Sequence, residues 1–213
     1  MVKQSMTIEP GVYYRYCRYC NCVKPPRAHH CSISGKCVLD FDHYCPWVGQ
    51  TVGRNNYRYF ILFLFYNCCC CLYGVVMTIS PFLNLSVYSR SYPLVAAKEQ
   101  ENPEVFAIVT VFTICLAGVI AVGFLLCWHL FLIATNQTTV EFYVNLHETR
   151  DASRRGEVYK NPFNHGLMKN IERVFGDSTR SLFLRIIIPS LANAPIAQYP
   201  AMPPMSPMHA SHV

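Results

Sequence analysis

At 213 residues, 52% hydrophobic and only 14% charged, the chain is too apolar for an ordinary soluble protein of its size. Neither Tyr59–Ser89 nor Val105–Val140 contains an Asp, Glu, Lys or Arg, and each stretch exceeds the roughly 20 apolar residues a helix needs to cross a bilayer. The net charge of +6 suits anionic lipid headgroups or a phosphorylated ligand; a zinc-knuckle nucleic-acid binder has no use for two spans, so no nucleic-acid partner is expected.

In chain order, residues 1–16 form a polar lead with Lys3 and Glu9 and no continuous apolar core, so no signal peptide is evident. Residues 1–58 are cysteine-rich and full of turn-formers (Pro25, Pro26, Gly35, Pro46, Gly49, Gly53), as in a small metal-held fold. The spans are expected over 59–83 and 105–134, separated by a loop at 84–104. Lys and Arg number 8 up to Arg58, 2 in that loop and 8 from residue 135 onward. By the positive-inside rule both termini are cytoplasmic and the loop is luminal or extracellular.

Residues 135–193 make a cytoplasmic tail in which Leu167, Ile171, Val174 and Phe175 recur at helical spacing, an amphipathic helix ended by Gly176. Leu182-Phe183-Leu184 and Ile186-Ile187-Ile188 follow, and the Pro- and Met-rich residues 194–213 are expected to be disordered. No internal repeat is evident. The fold class is thus membrane α-helical: two transmembrane helices, a cytoplasmic zinc-held cysteine-rich domain and an amphipathic carboxy-terminal tail.

Six of the twelve cysteines (Cys17, Cys20, Cys22, Cys31, Cys37, Cys45) lie in the cytoplasmic segment, where reducing conditions disfavour disulfides. Cys17-x2-Cys20 is a two-cysteine knuckle; with His30 and Cys37 it makes a Cys3His set suited to structural zinc. His29 is an alternative ligand one residue away, and Cys22 and Cys31 are left over. Asp42-His43-Tyr44-Cys45-Pro46-Trp47 places a Cys nucleophile beside a base, just ahead of the first span. In that span Cys68 to Cys71 read as small helix-interface residues, and His129 in the second as a hydrogen-bonded interhelical group.

With these residues in hand, the chain resembles the DHHC family of protein S-acyltransferases. The resemblance rests on Cys17-x2-Cys20, Lys24-Pro25-Pro26-Arg27-Ala28-His29-His30-Cys31, Cys37, Asp42–Trp47 and Gly53-x2-Asn56-x3-Phe60. It extends to Thr138-Thr139-Val140-Glu141, which is similar to the family's TTxE element. Asn161-Pro162-Phe163, Gly166, Asn170 and Phe175-Gly176 are similar to its carboxy-terminal element.

The resemblance implies a membrane protein that moves a long-chain acyl group, palmitoyl by expectation, from acyl-CoA to Cys45. From there it passes to membrane-proximal cysteines of protein substrates. Cys45 is the implied nucleophile, His43 the base and Asp42 its orienting carboxylate. A free thiol, with a pKa of about 8.5, is mostly protonated at neutral pH, so a positioned base matters. Trp47, Phe60, Phe63 and Tyr66 either line the acyl cavity or pack against lipid and the neighbouring helix.

Family members usually bind two zinc ions. The first set matches Cys17, Cys20, His30 and Cys37; the second would fall on Cys31, Ser34, Tyr44 and Thr51, so one zinc is expected here. Most members also carry two earlier spans and a DPG element, expected to be absent from this chain as a partial gene product or a reduced form. A catalytically silent membrane adaptor that binds protein partners through its zinc-held domain is the competing expectation. Golgi or endoplasmic reticulum is the implied membrane.

Overall fold

The structure, a computed structural model, describes residues 15–91 and 102–176. The expectations for the polar lead, for most of the inter-span loop and for the tail beyond Gly176 lie outside the described residues. The chain divides into two compact units, one built from the residues up to Phe60 and from Leu132 onward, the other from Ile61–Phe131.

Three short antiparallel hairpins open the first unit: β1 (Arg15–Cys17) with β2 (Cys22–Lys24), β3 (His29–Cys31) with β4 (Lys36–Val38), and β5 (His43–Cys45) with β6 (Gln50–Val52). They are an internal repeat of 14 residues, which corrects the expectation of none. Cys17, Cys31 and Cys45 each end the first strand of a hairpin and are each buried. Each four-residue turn closes on a residue in the left-handed region: Asn21 (φ 51°), Gly35 (65°) and Gly49 (63°). Residue types differ between the copies, so the period is carried by backbone geometry and by the buried cysteines.

Strands of three residues are too short to be stable alone, and three of the side chains buried here are cysteines rather than large hydrophobes. A core that small calls for staples. Gly53 supplies one tight joint: a Cβ there would lie 2.5 Å from Val38 Cγ1 and 2.8 Å from the Leu39 carbonyl. Asn56 supplies another, accepting from the Gly53 N–H (2.9 Å) and donating to the Thr51 carbonyl (2.9 Å), so that β6 leads directly into a helix.

That helix, α1 (Tyr57–Ser91), and α2 (Pro103–Thr135) are, among the described residues, the two helices long and apolar enough to cross a membrane. Helix α1 continues past the expected end at residue 83 and runs through Pro81. A proline removes one backbone donor and, in an apolar helix, need not end it.

In the second unit the two helices run antiparallel with small residues between them. A Cβ on Gly74 would lie 2.4 Å from Cys115 Sγ, and one on Gly118 would lie 2.7 Å from Cys71 Sγ. Phe82 stacks on Phe112 at 4.1 Å. Glycine facing cysteine lets two helices approach closely where lipid gives no hydrophobic drive. His129, on α2, is buried.

The first unit is completed by α3 (Thr139–Arg154) and α4 (Leu167–Phe175), the latter with the bounds its periodicity predicts. Carbonyls orphaned at the end of α2 are met by side chains from beyond α3: Asn170 Nδ2 donates to Ala134 O (2.7 Å) and Asn161 Nδ2 to Thr135 O (2.8 Å). Asp40 ties α4 to the hairpins, pairing with Arg54 (2.8 Å) and Arg173 (3.0 Å).

Gly74→Leu should force α1 and α2 apart and lower the thermal midpoint in detergent, followed by circular dichroism. An unchanged midpoint would mean that the helices are not packed through this seam.

Candidate active site

The knuckle begins where β1 ends. The Cys20 amide N–H donates to Cys17 Sγ at 3.4 Å, and Cys20 Sγ lies 3.2 Å from His30 Nδ1. His30 and Cys37 face each other across β3 and β4. One donor atom from each of Cys17, Cys20, His30 and Cys37 lies within 4.8 Å of the others. Three thiols and an imidazole so grouped fit a tetrahedral zinc with bonds of about 2.0–2.3 Å. Neighbouring residues of a strand point to opposite faces, so His29 is turned away from the cluster, toward the Phe41 ring 6.0 Å off. Tyr19 stacks on His30 at 4.8 Å.

Advancing each of the four donor positions by one or two hairpin steps shows what the repeat has changed. Fourteen residues on from Cys17, Cys20, His30 and Cys37 stand Cys31, Ser34, Tyr44 and Thr51. Here the contacts are hydrogen bonds: Thr51 Oγ1 donates to Cys31 Sγ (3.2 Å) and lies in hydrogen-bond contact with Ser34 Oγ (3.0 Å), and the Ser34 amide donates to Cys31 Sγ (3.5 Å). Tyr44 stands opposite Thr51 in the strand pair. Burial raises the Cys31 thiol, but the hydrogen bonds from Ser34 and Thr51 outweigh it and bring its pKa down to about 7.

Cys45 holds the same hairpin position a further fourteen residues on, and is 5% exposed. On the same face of β5, His43 Nδ1 bonds Asp42 Oδ2 at 2.7 Å. Burial works against the charged imidazole, but hydrogen bonds with Asp42 and Cys45 outweigh it and raise the pKa of His43. The Phe60 ring meets the imidazole edge-on at 5.2 Å. Of the other aromatics singled out in sequence, Trp47 is 90% exposed in the β5–β6 turn, and Phe63 and Tyr66 are exposed on α1.

Asp42 itself is 2% exposed and is met by the first turn of α3. The Thr139 N–H donates to Oδ1 (2.7 Å) and Thr139 Oγ1 to Oδ2 (3.0 Å). That turn is a capping box: the Glu141 N–H donates to Thr138 Oγ1 (3.2 Å) and the Thr138 N–H to Glu141 Oε2 (2.9 Å). Glu141 in turn takes two bonds from Arg27, at Nε and Nη2, each 2.6 Å. Thr138, Thr139 and Glu141 could be read in the sequence as residues that cap or brace the end of the second span, but neither the extent of α3 nor the contacts of Arg27 could. The S/T-x-x-E spacing is the signal for the first; one arginine within a cysteine-rich segment gives no signal for the second.

A family profile described as DHHC palmitoyltransferase matches residues 12–146, well over half of the chain. The chain belongs to the DHHC palmitoyltransferase family. Probable protein S-acyltransferase 16 of Arabidopsis thaliana is 34% identical over 169 residues, covering 78% of this chain and 56% of that protein. Palmitoyltransferase ZDHHC2 of Homo sapiens is 34% identical over 172 residues (81% and 43%), and palmitoyltransferase ZDHHC15 of Homo sapiens 35% over 166 residues (78% and 45%). The chain spans about half the length of the curated relatives it matches.

Within this DHHC-family chain, the tetrapeptide that names the family reads Asp42-His43-Tyr44-Cys45. The raised pKa of His43 yields a signed prediction. Asp42→Asn removes the carboxylate that favours the imidazolium, so the His43 titration midpoint, followed by NMR, should fall toward or below the usual value of about 6.5. A midpoint that stays in place would show that Asp42 does not hold the ring.

Proposed function

We propose that the chain is a protein S-acyltransferase that carries a long-chain acyl group, such as palmitoyl, on Cys45. The observation that supports this best is the Asp42–His43 pair at 2.7 Å, with Cys45 hydrogen-bonded to the same imidazole. In the first half-reaction the Cys45 thiol gives its proton to His43 Nε2. Its sulfur attacks the carbonyl carbon of the acyl-CoA thioester, and the CoA thiolate leaves and takes up the proton. In the second half-reaction a substrate cysteine thiolate attacks acyl-Cys45 and frees it. Asp42 fixes the ring and stabilises the imidazolium while it holds the Cys45 proton during the first half-reaction.

Phe60, Phe63 and Tyr66 follow at three-residue steps along α1 and are proposed, with Trp47, to take the acyl chain, which gains about 0.8 kcal/mol per buried methylene. One zinc ion is proposed, held by Cys17, Cys20, His30 and Cys37, because Ser34, Tyr44 and Thr51 supply hydroxyls where a second site needs thiols and an imidazole. Both termini are assigned to the cytoplasm, in a Golgi or endoplasmic reticulum membrane, with protein substrates that present cysteines near the bilayer.

Purified protein incubated with labelled acyl-CoA should acquire a hydroxylamine-sensitive label that Cys45→Ser abolishes and His43→Ala slows strongly, while Tyr44→Phe keeps most of it. A wild-type chain that takes no label under conditions where a full-length relative does would leave the silent-adaptor reading in place. Metal analysis should return one zinc per chain; two would overturn the single-site assignment.

A further inference from the structure

Arg27 is an unusual residue for a hairpin unit with so small a core. Its φ of 66° lies in the left-handed region, a conformation that non-glycine residues hold only where their surroundings fix it. Its side chain is 5% exposed. All three guanidinium nitrogens are engaged. Nε and Nη2 fork onto the two oxygens of Glu141; Nη1 donates to Asn136 Oδ1 (3.1 Å) and Nη2 also to the Asn136 carbonyl (3.4 Å). The Phe163 ring covers the group at 4.7 Å, and Asp40 stands 3.6 Å from Nε.

We propose that Arg27 is a positioning residue for acyl transfer, acting on His43 through Glu141, Thr138, Thr139 and Asp42. This rests on the acyltransferase reading given above. Apart from the peptide bond between Thr138 and Thr139, each step of the relay is a hydrogen bond already described. Arg27 holds both oxygens of Glu141, and Glu141 Oε2 receives the Thr138 N–H and so closes the capping box. The closed turn aims the Thr139 N–H and hydroxyl at the two oxygens of Asp42. Asp42 then fixes His43 by its Nδ1, and the same imidazole hydrogen-bonds Cys45.

Only a planar fork meets this demand, because the two oxygens of one carboxylate must be met at once in a fixed plane. A lysine keeps the charge but holds one oxygen at a time. Without the fork, Glu141 is a poorly exposed carboxylate that gains by turning toward water, and it then gives up the Thr138 N–H. The first turn of α3 loosens, and Asp42 loses donors that come from 97 residues away in sequence. The partners of Arg27 are Glu141, Asn136, Asp40 and Phe163, so its effect should fall on the rate of the chemical step rather than on donor binding.

The experiment uses the full chain in detergent micelles and the variants Arg27→Lys, Arg27→Gln and Glu141→Gln. With zinc content as in wild type, acyl-Cys45 formation at saturating acyl-CoA should slow roughly tenfold or more, while KM for acyl-CoA stays within about twofold. Alkylation of Cys45 by iodoacetamide at neutral pH, read by mass spectrometry, should slow in the same order. This second readout needs no acyl transfer. A wild type that alkylates readily but never acylates would sink the acyltransferase reading while the variants still decide the role of Arg27.

Wild-type rates of acylation and alkylation in a zinc-loaded Arg27→Lys would overturn the proposal, as would a loss confined to KM. Loss of zinc from all three variants would also overturn it, since the network would then be a scaffold for the metal fold.

Discussion

A carboxylate taken out of water must be met by donors, and Asp42 is the group on which this site turns. Its neighbour His43 follows it in sequence, but adjacency does not orient either side chain. The orientation comes from Thr139, whose backbone and hydroxyl each meet one oxygen of the carboxylate. Hydrogen bonds to a charged group contribute about 1.5–3 kcal/mol each, and a buried carboxylate stripped of partners costs several kcal/mol. The first turn of a helix also carries partial positive charge that favours an anion. Asp42 and the start of α3 therefore stabilise each other: the helix gains an anion at its amino end, and the carboxylate gains donors in addition to His43 of its own hairpin.

The hairpin repeat is held unequally along its length. A structural zinc site of Cys and His ligands contributes on the order of 10–16 kcal/mol to the folding of a small domain, whereas each hydrogen bond of the Thr51, Ser34 and Cys31 cluster contributes roughly 1 kcal/mol. If the Cys17, Cys20, His30 and Cys37 set carries the metal, the second half of the repeat is much the weaker half. Compensation is visible around it. Gly53 packs directly on Val38 and the Leu39 carbonyl, Asn56 bridges β6 to α1, and Asp40 gathers Arg54 and Arg173. Burial raises the Asp40 carboxyl, but the Arg54 hydrogen bonds, with Arg27 and Arg173 nearby, outweigh it and hold its pKa below the usual range. That carboxylate remains charged and paired at any pH at which thiolates can hold a metal.

What was legible in the sequence follows from how local each signal is. Two charge-free stretches announce two long helices because span length is set by bilayer thickness. The bounds of α4 could be read from its period and its terminal glycine, and the donor set from ligand chemistry. The 14-residue repeat was hidden because its copies share backbone conformation and one buried cysteine each, while other positions changed type: Cys20 becomes Ser34, and His30 becomes Tyr44. The continuation of α1 through Pro81 was hidden because a proline stops a solvated helix more readily than an apolar one. Arg27 was illegible for a different reason. Its partners, Asn136 and Glu141, lie more than a hundred residues downstream, and no local pattern encodes such a pairing.

Strand geometry explains how one face of β5 can change while the other keeps its chemistry. Side chains alternate along a strand, so His43 and Cys45 share a face and Tyr44 points the other way, next to Thr51. A tyrosine at position 44 therefore bears on the side turned to the hydrogen-bonded cluster and not on the side that carries His43 and Cys45. The separation is not complete, because both faces belong to the same three-residue strand, and a strand that short takes its rigidity from whatever it touches. Thr51, opposite Tyr44, hydrogen-bonds Cys31, while Asp42 ties the start of the strand to the first turn of α3. The residues that fix Asp42 lie in the capping box of α3 and in the arginine behind it, so in this chain the precision of the site depends on a helix far away in sequence.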